Sequence, residues 1–311
     1  LLARGPADLV RIQFARGRIT QTYVPSLASG NPDVAFVAGA DEAIIRSADL
    51  VPGYVVPDGH QARLLTGSLA GSGPLVPGPA GTRAAWVITG PPTSPALSLV
   101  TLTGHRVGPS IRFPAGSPQL PVNAVSDGRG DVLVIDGNFD AYDAGPGWDR
   151  RVPGTVVAVG PADWLTVTCG PPQFRDCRNE VIGVTGGSRR VLPGPADQHV
   201  LPGPAGAEPY EYSWPPTGVI APDGSSAAVV EVTGAGAFTV HLISLRTGIT
   251  RDLGVPVSDN ANDQAMAWSP DSRWLFVAAR GRKLVAISAR TGRVQRLGVS
   301  LPAVEQVAIR S

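Results

Sequence analysis

Side chains able to do chemistry are few in this chain and scattered. The histidines are His60, His105, His199 and His241, and the cysteines are Cys169 and Cys177. No G-x-S-x-G and no H-E-x-x-H occurs, so neither a nucleophile elbow nor a zinc-protease helix is available, and no catalytic residue is assigned. The two cysteines stand close together in "TCGPPQFRDCR", with no histidine within twenty residues. In that Pro/Gly setting they read as a disulfide-closed loop in an oxidising compartment, with free thiols and a metal site as the alternatives. Closing so small a loop would stabilise the fold by about 2–3 kcal/mol.

Two stretches are rich in oxygen ligands. "DGNFDAYD" carries Asp136, Asn138 and Asp140, and "SDNANDQ" carries Asp259, Asn260, Asn262 and Asp263. The first lacks the glycine at the sixth position and the glutamate at the twelfth that a calcium loop uses. Ordinary Asx-turns account for both, so no cofactor is expected, calcium being the alternative. Arg129-Gly130-Asp131 spells an adhesion tripeptide but falls where a turn is expected. "SPDSRW" resembles a sialidase Asp-box only in part, and its tryptophans, Trp268 and Trp274, read as packing residues.

Composition sets the elements that position these groups. Gly (38) and Pro (31) interrupt nearly every ten residues and only 16% of residues are charged, which favours short strands and tight turns over helices. A hydrophobic content of 43% supplies a core. The net charge of +1, with signs interspersed, offers no basic stripe and argues against a nucleic-acid partner. No apolar run reaches about 18 residues, so no membrane span is expected in this segment. The chain starts inside a strand pattern at "LLARG" without a signal peptide, which points to an export signal or anchor upstream.

One unit recurs. "MAW", "WLFVAA", "LVAIS" and "RVQRL" read as strands a to d, with "SPDS" turning a into b and "RTG" turning c into d. The preceding copy is "VIAPDGSSAAVVEV" with "VHLISLRTGITRDLG". Asp223 lies 48 residues before Asp271, and Asp127 lies 96 before Asp223. The c–d turn glycines are Gly17, Gly59, Gly104, Gly145, Gly187, Gly248 and Gly292, at intervals of 42, 45, 41, 42, 61 and 44. That spacing predicts seven four-stranded blades. Residues 1–25 read as strands b, c and d, and 303–311 as a lone strand a. Together they complete a split blade and make residues 1–311 one domain without open sheet edges.

"WSPDSRWLFVA" and "IAPDGSSAAVV" resemble the Pro-Asp-Gly turns of TolB-like and WD-repeat-like bacterial propellers. The resemblance implies an all-β, seven-bladed propeller of four-stranded antiparallel blades and a scaffold role, with no particular ligand. No Trp-Asp ends strand c and no Gly-His precedes strand a, so these are not true WD repeats.

In such a fold the a–b and c–d turns share one end of the blades and the b–c and d–a loops the other. Irregular sequence collects at the second end: the cysteine segment joins b to c in the fifth blade, and Pro193–Pro216 joins the fifth blade to the sixth. The candidate ligand-binding residues are Phe174, Arg175 and Asp176 beside the cysteines, and His199, Tyr210, Tyr212 and Trp214 in the insertion, where Glu208 and Glu211 also stand. The competing explanation is that the aromatics pin a Pro-rich loop to the blades. The expectation is a monomeric, extracytoplasmic, non-enzymatic domain that binds a protein, peptide or glycan. The alternatives are a propeller hydrolase or lactonase with a carboxylate or calcium cluster, and a sensor ectodomain.

Overall fold

The computed structural model describes residues 1–24, 35–39, 41–46, 53–65, 75–79, 83–89, 96–112, 123–126, 130–135, 141–145, 148–170, 175–194, 218–232, 238–257, 264–281, 283–297 and 301–310. Short β-strands dominate it, with one 3-10 turn at Phe14–Arg16. No helix among the described residues is long and apolar enough to cross a membrane. Two compact units are distinguished: residues 1–152 with 308–311, and residues 153–307.

In the first unit, strands β1 (Leu2–Arg4), β2 (Asp8–Gln13) and β3 (Arg18–Tyr23) form one sheet. A second sheet holds β4 (Ala35–Ala38), β5 (Glu42–Arg46), β6 (Tyr54–Pro57) and β7 (Arg63–Leu64). The third is β8 (Leu75–Pro77), β9 (Ala84–Thr89), β10 (Ala96–Thr101) and β11 (Arg106–Arg112). The fourth is β12 (Asn123–Ser126), β13 (Val132–Ile135), β14 (Ala141–Gly145) and β15 (Trp148–Val152). The second unit holds β16 (Thr155–Val159), β17 (Asp163–Gly170), β18 (Arg175–Gly183), β19 (Arg189–Val191), β20 (Gly218–Ile220), β21 (Ser226–Val232), β22 (Phe238–Ser244) and β23 (Thr250–Pro256). It continues with β24 (Met266–Trp268), β25 (Trp274–Ala279), β26 (Lys283–Ser288) and β27 (Val294–Arg296). The last strand, β28 (Gln306–Ala308), takes the edge of the first sheet in the order β28–β1–β2–β3.

The arrangement is all-β and propeller-like: successive strands pair antiparallel into four-stranded sheets. The sheets stack face to face through apolar cores, as the strict alternation of strand side chains requires. In the first unit Phe36, Ala43 and Ile45 pack with Leu2 and Leu9, while Val37 and Ile44, on the other face of the same sheet, pack with Ala85, Val87 and Val100. In the second unit Val229 and Ile243 pack on Leu165, Val167 and Val181, and Val230 and Leu242 pack on Val277 and Ile287.

Seven separate four-stranded sheets, the expected count, are not what the described residues form. Five sheets are four-stranded and one is eight-stranded, in the order β19–β18–β17–β16–β20–β21–β22–β23. The first strands of two repeats, β16 and β20, hydrogen-bond in parallel, with Ala158 opposite Gly218 and Val159 opposite Val219. Glycine makes the approach feasible. A Cβ on Gly218 would stand 2.4 Å from the Ala228 carbonyl oxygen and 2.8 Å from that of Val157, and one on Gly160 would stand 2.6 Å from the Ile220 Cβ.

The repeat's turn devices are present. Six of the seven expected c–d glycines have positive φ: Gly17, Gly59, Gly104, Gly187, Gly248 and Gly292. The seventh, Gly145, ends β14 opposite Trp148. Where the sister turn has Gly224 at φ 69°, Ser272 takes φ 59°. The Ser272 hydroxyl accepts a hydrogen bond from the Asp223 backbone N–H at 3.0 Å, which ties the two turns across neighbouring sheets. The Asp271 carboxylate accepts from the Ser269 hydroxyl and from the Arg273 N–H. Those two bonds hold its pKa below the ordinary carboxylate range. Trp268 is buried and donates its indole N–H to the Val219 carbonyl at 2.9 Å, as expected of a packing residue.

Candidate functional site

The cysteine segment is more regular than the expected loop. Strand β17 continues through Cys169 and Gly170, and β18 begins at Arg175. Thr168 pairs with Arg178 and Gly170 with Arg175, so both cysteines fall between these pairs on adjacent strands. The alternating Thr and Val of "WLTVTCG" extend the hairpin, because β-branched side chains fit a pleated, half-buried surface. Cys177 packs against the core beside Val181, and no cysteine among the described residues is free. Arg175 and Asp176 lie on this first part of β18. Phe174, His199, Tyr210, Tyr212 and Trp214 lie outside the described residues, as do Glu208 and Glu211. So do Asp136, Asn138, Asp140 and the 259–263 loop.

At the b–c end of the second unit, a polar array replaces the apolar pattern on three adjacent strands. Glu231 on β21, His241 on β22 and Asp252 on β23 share one sheet face, since His241 pairs with Asp252 and with Val229 across the register. The His241 Nδ1 stands 2.7 Å from a Glu231 carboxylate oxygen. That contact is not aligned as a hydrogen bond. On the other side of the ring, Nε2 lies 3.1 Å from the Thr239 hydroxyl and 3.7 Å from Asp252 Oδ1. Glu231 and His241 are buried while the Asp252 side chain is 59% exposed, so the array leads from the sheet interior to solvent.

The other half of the eight-stranded sheet contributes Asn179, on β18. Its neighbours on the same face of β18 are Cys177 and Val181, which pack into the core shared with Val229 and Ile243. Asn179 is 5% exposed, and its Oδ1 has no hydrogen-bond partner among the described residues. Glu180, on the opposite face, is satisfied by Arg178 at 2.7 Å and by Arg189. No group of three or more His, Cys, Asp or Glu among the described residues is placed to hold a metal ion.

Sequence reasoning placed His241 in a strand and gave it no role, and it passed over Glu231 and Asn179. The signal was present: Glu231 interrupts the apolar run "AAVVEV" and His241 interrupts "TVHLI". Only the pairing of β21 with β22 shows that both interruptions fall on one face.

A second charged array lies at the a–b and c–d end of the first unit. Arg310 binds both Asp58 oxygens through Nη1, at 2.7 and 2.6 Å, and Arg11 reaches the same carboxylate. Asp41 pairs with Arg83. Burial, and then the nearby Arg310 charge, lowers the pKa of Arg11. This array ties the ends of three sheets together and reads as structural. Replacing Asp58 by Ala leaves two half-buried guanidinium groups facing each other without a counter-charge. The variant is expected to lose about 2 kcal/mol in thermal unfolding and to recover part of it in about 1 M salt, where like-charge repulsion is screened. A loss that salt does not touch would show that shape, not charge, holds Asp58.

The adhesion reading of Arg129-Gly130-Asp131 is not supported where it is described. Gly130 is buried against Pro79, and its carbonyl accepts the Trp86 indole N–H at 2.6 Å. Arg129 lies outside the described residues.

No protein-family model and no curated protein sequence matches the chain. Solved structures do. A puromycin-hydrolyzing peptidase of Mycobacterium tuberculosis matches with TM-score 0.55 and 14% identity over 98% of this chain, which spans 50% of that protein. A functionally unknown protein of Desulfotomaculum acetoxidans matches with TM-score 0.50 and 13% identity over 99% of this chain and 97% of its own. TolB of Acinetobacter baumannii matches with TM-score 0.47 and 14% identity over 94% of this chain and 77% of its own. At these identities the likeness is one of fold, and the fold shared is the β-propeller.

Proposed function

We propose that this chain is a non-enzymatic binding or scaffold domain that works outside the cytoplasm as a monomer and takes a protein, peptide or glycan at the b–c end of its second unit. The Cys169–Cys177 pair forms a disulfide there and fixes the end of the β17–β18 hairpin. Counting the eight-stranded sheet as two blades joined at their first strands makes a seven-bladed propeller over residues 1–311. Phe174, Arg175, Asp176, His199, Tyr210, Tyr212 and Trp214 supply contacts around this end.

The observation that supports the reading is the array of Glu231, Thr239, His241 and Asp252 at the margin of an apolar core. Buried polar groups are costly there unless they hold something in place. Peptide and glycan arrays probed with the purified chain test it. Bound sequences or sugars are expected, with signal lost when 193–216 is replaced by a short Gly-Ser linker in a chain that melts like the parent. Binding that ignores that replacement and the Glu231→Gln change, or no binding on either array, overturns the proposal.

A further inference from the structure

We propose that β3, the outer strand of the first sheet, is a docking edge that adds an extended segment of another protein to the sheet. The segment runs antiparallel to β3, with β-branched residues at alternate positions and an acid opposite Arg18. The edge belongs to the first unit and does not rest on the binding reading above.

The main chain of β3 offers an unbroken row of bonding groups. The strand ends its sheet in the order β28–β1–β2–β3, and it pairs with β2 without a shift, from Asp8 opposite Tyr23 to Gln13 opposite Arg18. In an antiparallel ladder successive residues turn their N–H and C=O groups to opposite sides. Val24 donates its N–H to the Ala7 carbonyl at 2.8 Å, and Ile12 donates away from β3, to the Leu1 carbonyl at 2.9 Å. Thr20 and Thr22 therefore bond inward to β2. Ile19, Gln21 and Tyr23 turn their N–H and C=O groups outward, where no strand among the described residues meets them. Side chains leave this edge open: Ile19 is 37% exposed and Tyr23 66%.

The other outer strands are guarded and β3 is not. Sheet edges are normally kept short, charged, bulged or interrupted by proline, which stops another chain from pairing with them. Strand β7 has two residues, and β19 and β27 have three each. Strands β11 and β23 pair with a shifted register and carry Pro109 and Pro256. Strand β15 carries two arginines and an aspartate. Strand β3 has six residues, no proline, no glycine and one charge, at its first position. A row of free main-chain groups is met by another main chain, and charge selects which one. Residues 14–24, "FARGRITQTYV", hold Arg16 and Arg18 and no acid. Asp8, across on β2, lies opposite Tyr23 at the far end and accepts from the Gln21 amide at 2.9 Å. Two copies of this chain paired edge to edge would bring arginines and no acid to the seam. A partner strand with an acidic end supplies the counter-charge.

The probe is N-acetyl-Val-Thr-Val-Thr-Val-Glu-Gly-Glu-amide, and the readout is amide hydrogen exchange in the 15N-labelled chain. In the free chain the amides of Thr20 and Thr22 are expected to be protected and those of Ile19, Gln21 and Tyr23 to exchange as open groups. Probe at about ten times its Kd should slow the last three about tenfold. N-methylation of the probe's valines, whose N–H groups meet β3, should abolish the effect, and N-methylation of its threonines, which face away, should not. A counterpart with lysine in place of glutamate should bind about tenfold more weakly, and Arg18→Glu, a change at an exposed position, should reverse that preference. Equal binding of the two methylated isomers, no charge preference, or no slowing overturns the inference. Edge amides already slow in the free chain, and slower as its concentration rises, would show that a second copy occupies β3 and would overturn it too. If the arrays are blank while the probe protects β3 as described, the binding reading falls and the docking edge stands. If array ligands bind as expected while the β3 amides ignore the probe, the reverse holds.

Discussion

Gly130→Ala is expected to cost the first unit about 3–5 kcal/mol, a large share of the 5–15 kcal/mol that usually separates folded from unfolded chains. Three effects converge on one missing methyl group. Gly130 has φ 106°, a conformation that a residue with a Cβ rarely adopts, and forcing one into it costs about 1–3 kcal/mol. The added Cβ would stand 2.2 Å from the Pro79 Cα and 2.7 Å from its nitrogen, so backbone and not a flexible tip must move. Moving it breaks the bond from the buried Trp86 indole to the Gly130 carbonyl, and a buried donor left unfilled costs about 1–3 kcal/mol. Gly59→Ala is the control: φ is 73° but nothing lies within 4 Å of the new Cβ, so about 1 kcal/mol is expected. Urea unfolding with unchanged slope, together with amide exchange on β9 and β13, reads both variants. Equal losses would show that the Pro79–Gly130–Trp86 contact does not hold the third and fourth sheets together.

Trp164→Ala is the second large loss, about 3–5 kcal/mol, and it acts in the second unit. Trp164 is fully buried and pairs with Val159 on one side and Ile182 on the other. It shares its face of β17 with Thr166, also fully buried, and lies opposite the face of Leu165 and Val167 that meets the β21–β22 hairpin. Its neighbours on this face, Ile182 and Thr166, are held by strand register and are not free to move into the vacated space. Trp164→Phe keeps most of the volume and should cost less than half as much. Thermal unfolding followed by exchange on β17 and β18 checks the pair. An alanine variant that melts within a degree or two of the parent would mean that the sheet closes over the gap and that packing here is not rigid.

Much of the fold is legible along the chain. The Pro-Asp turns at Asp223 and Asp271 are turn devices, and Trp268 packs in the core. The glycine spacing marks the c–d turns because a left-handed residue is needed where two strands reverse tightly, and that need is local. The joining of two repeats through β16 and β20 is not local. It depends on Gly160 and Gly218, which read along the chain as two more loop glycines and act in space as the gap through which two strands approach.

The candidate site divides in the same way. The segment around Cys169 and Cys177 stands out because it breaks the repeat, but its strands run further than the Pro/Gly context implies. Glu231 and His241 are single polar letters in apolar strands, 10 residues apart in sequence, while Asn179, 52 residues before Glu231, stands between Arg178 and Glu180 in a polar stretch. Hydrophobic alternation tells which face each one takes, and this the sequence determines by itself. Whether three such faces meet is set by strand register and by which sheet stacks on which. Those depend on pairings between distant residues, and so the tertiary structure alone decided that an amide oxygen without a partner, a carboxylate and an imidazole close one end of the same core.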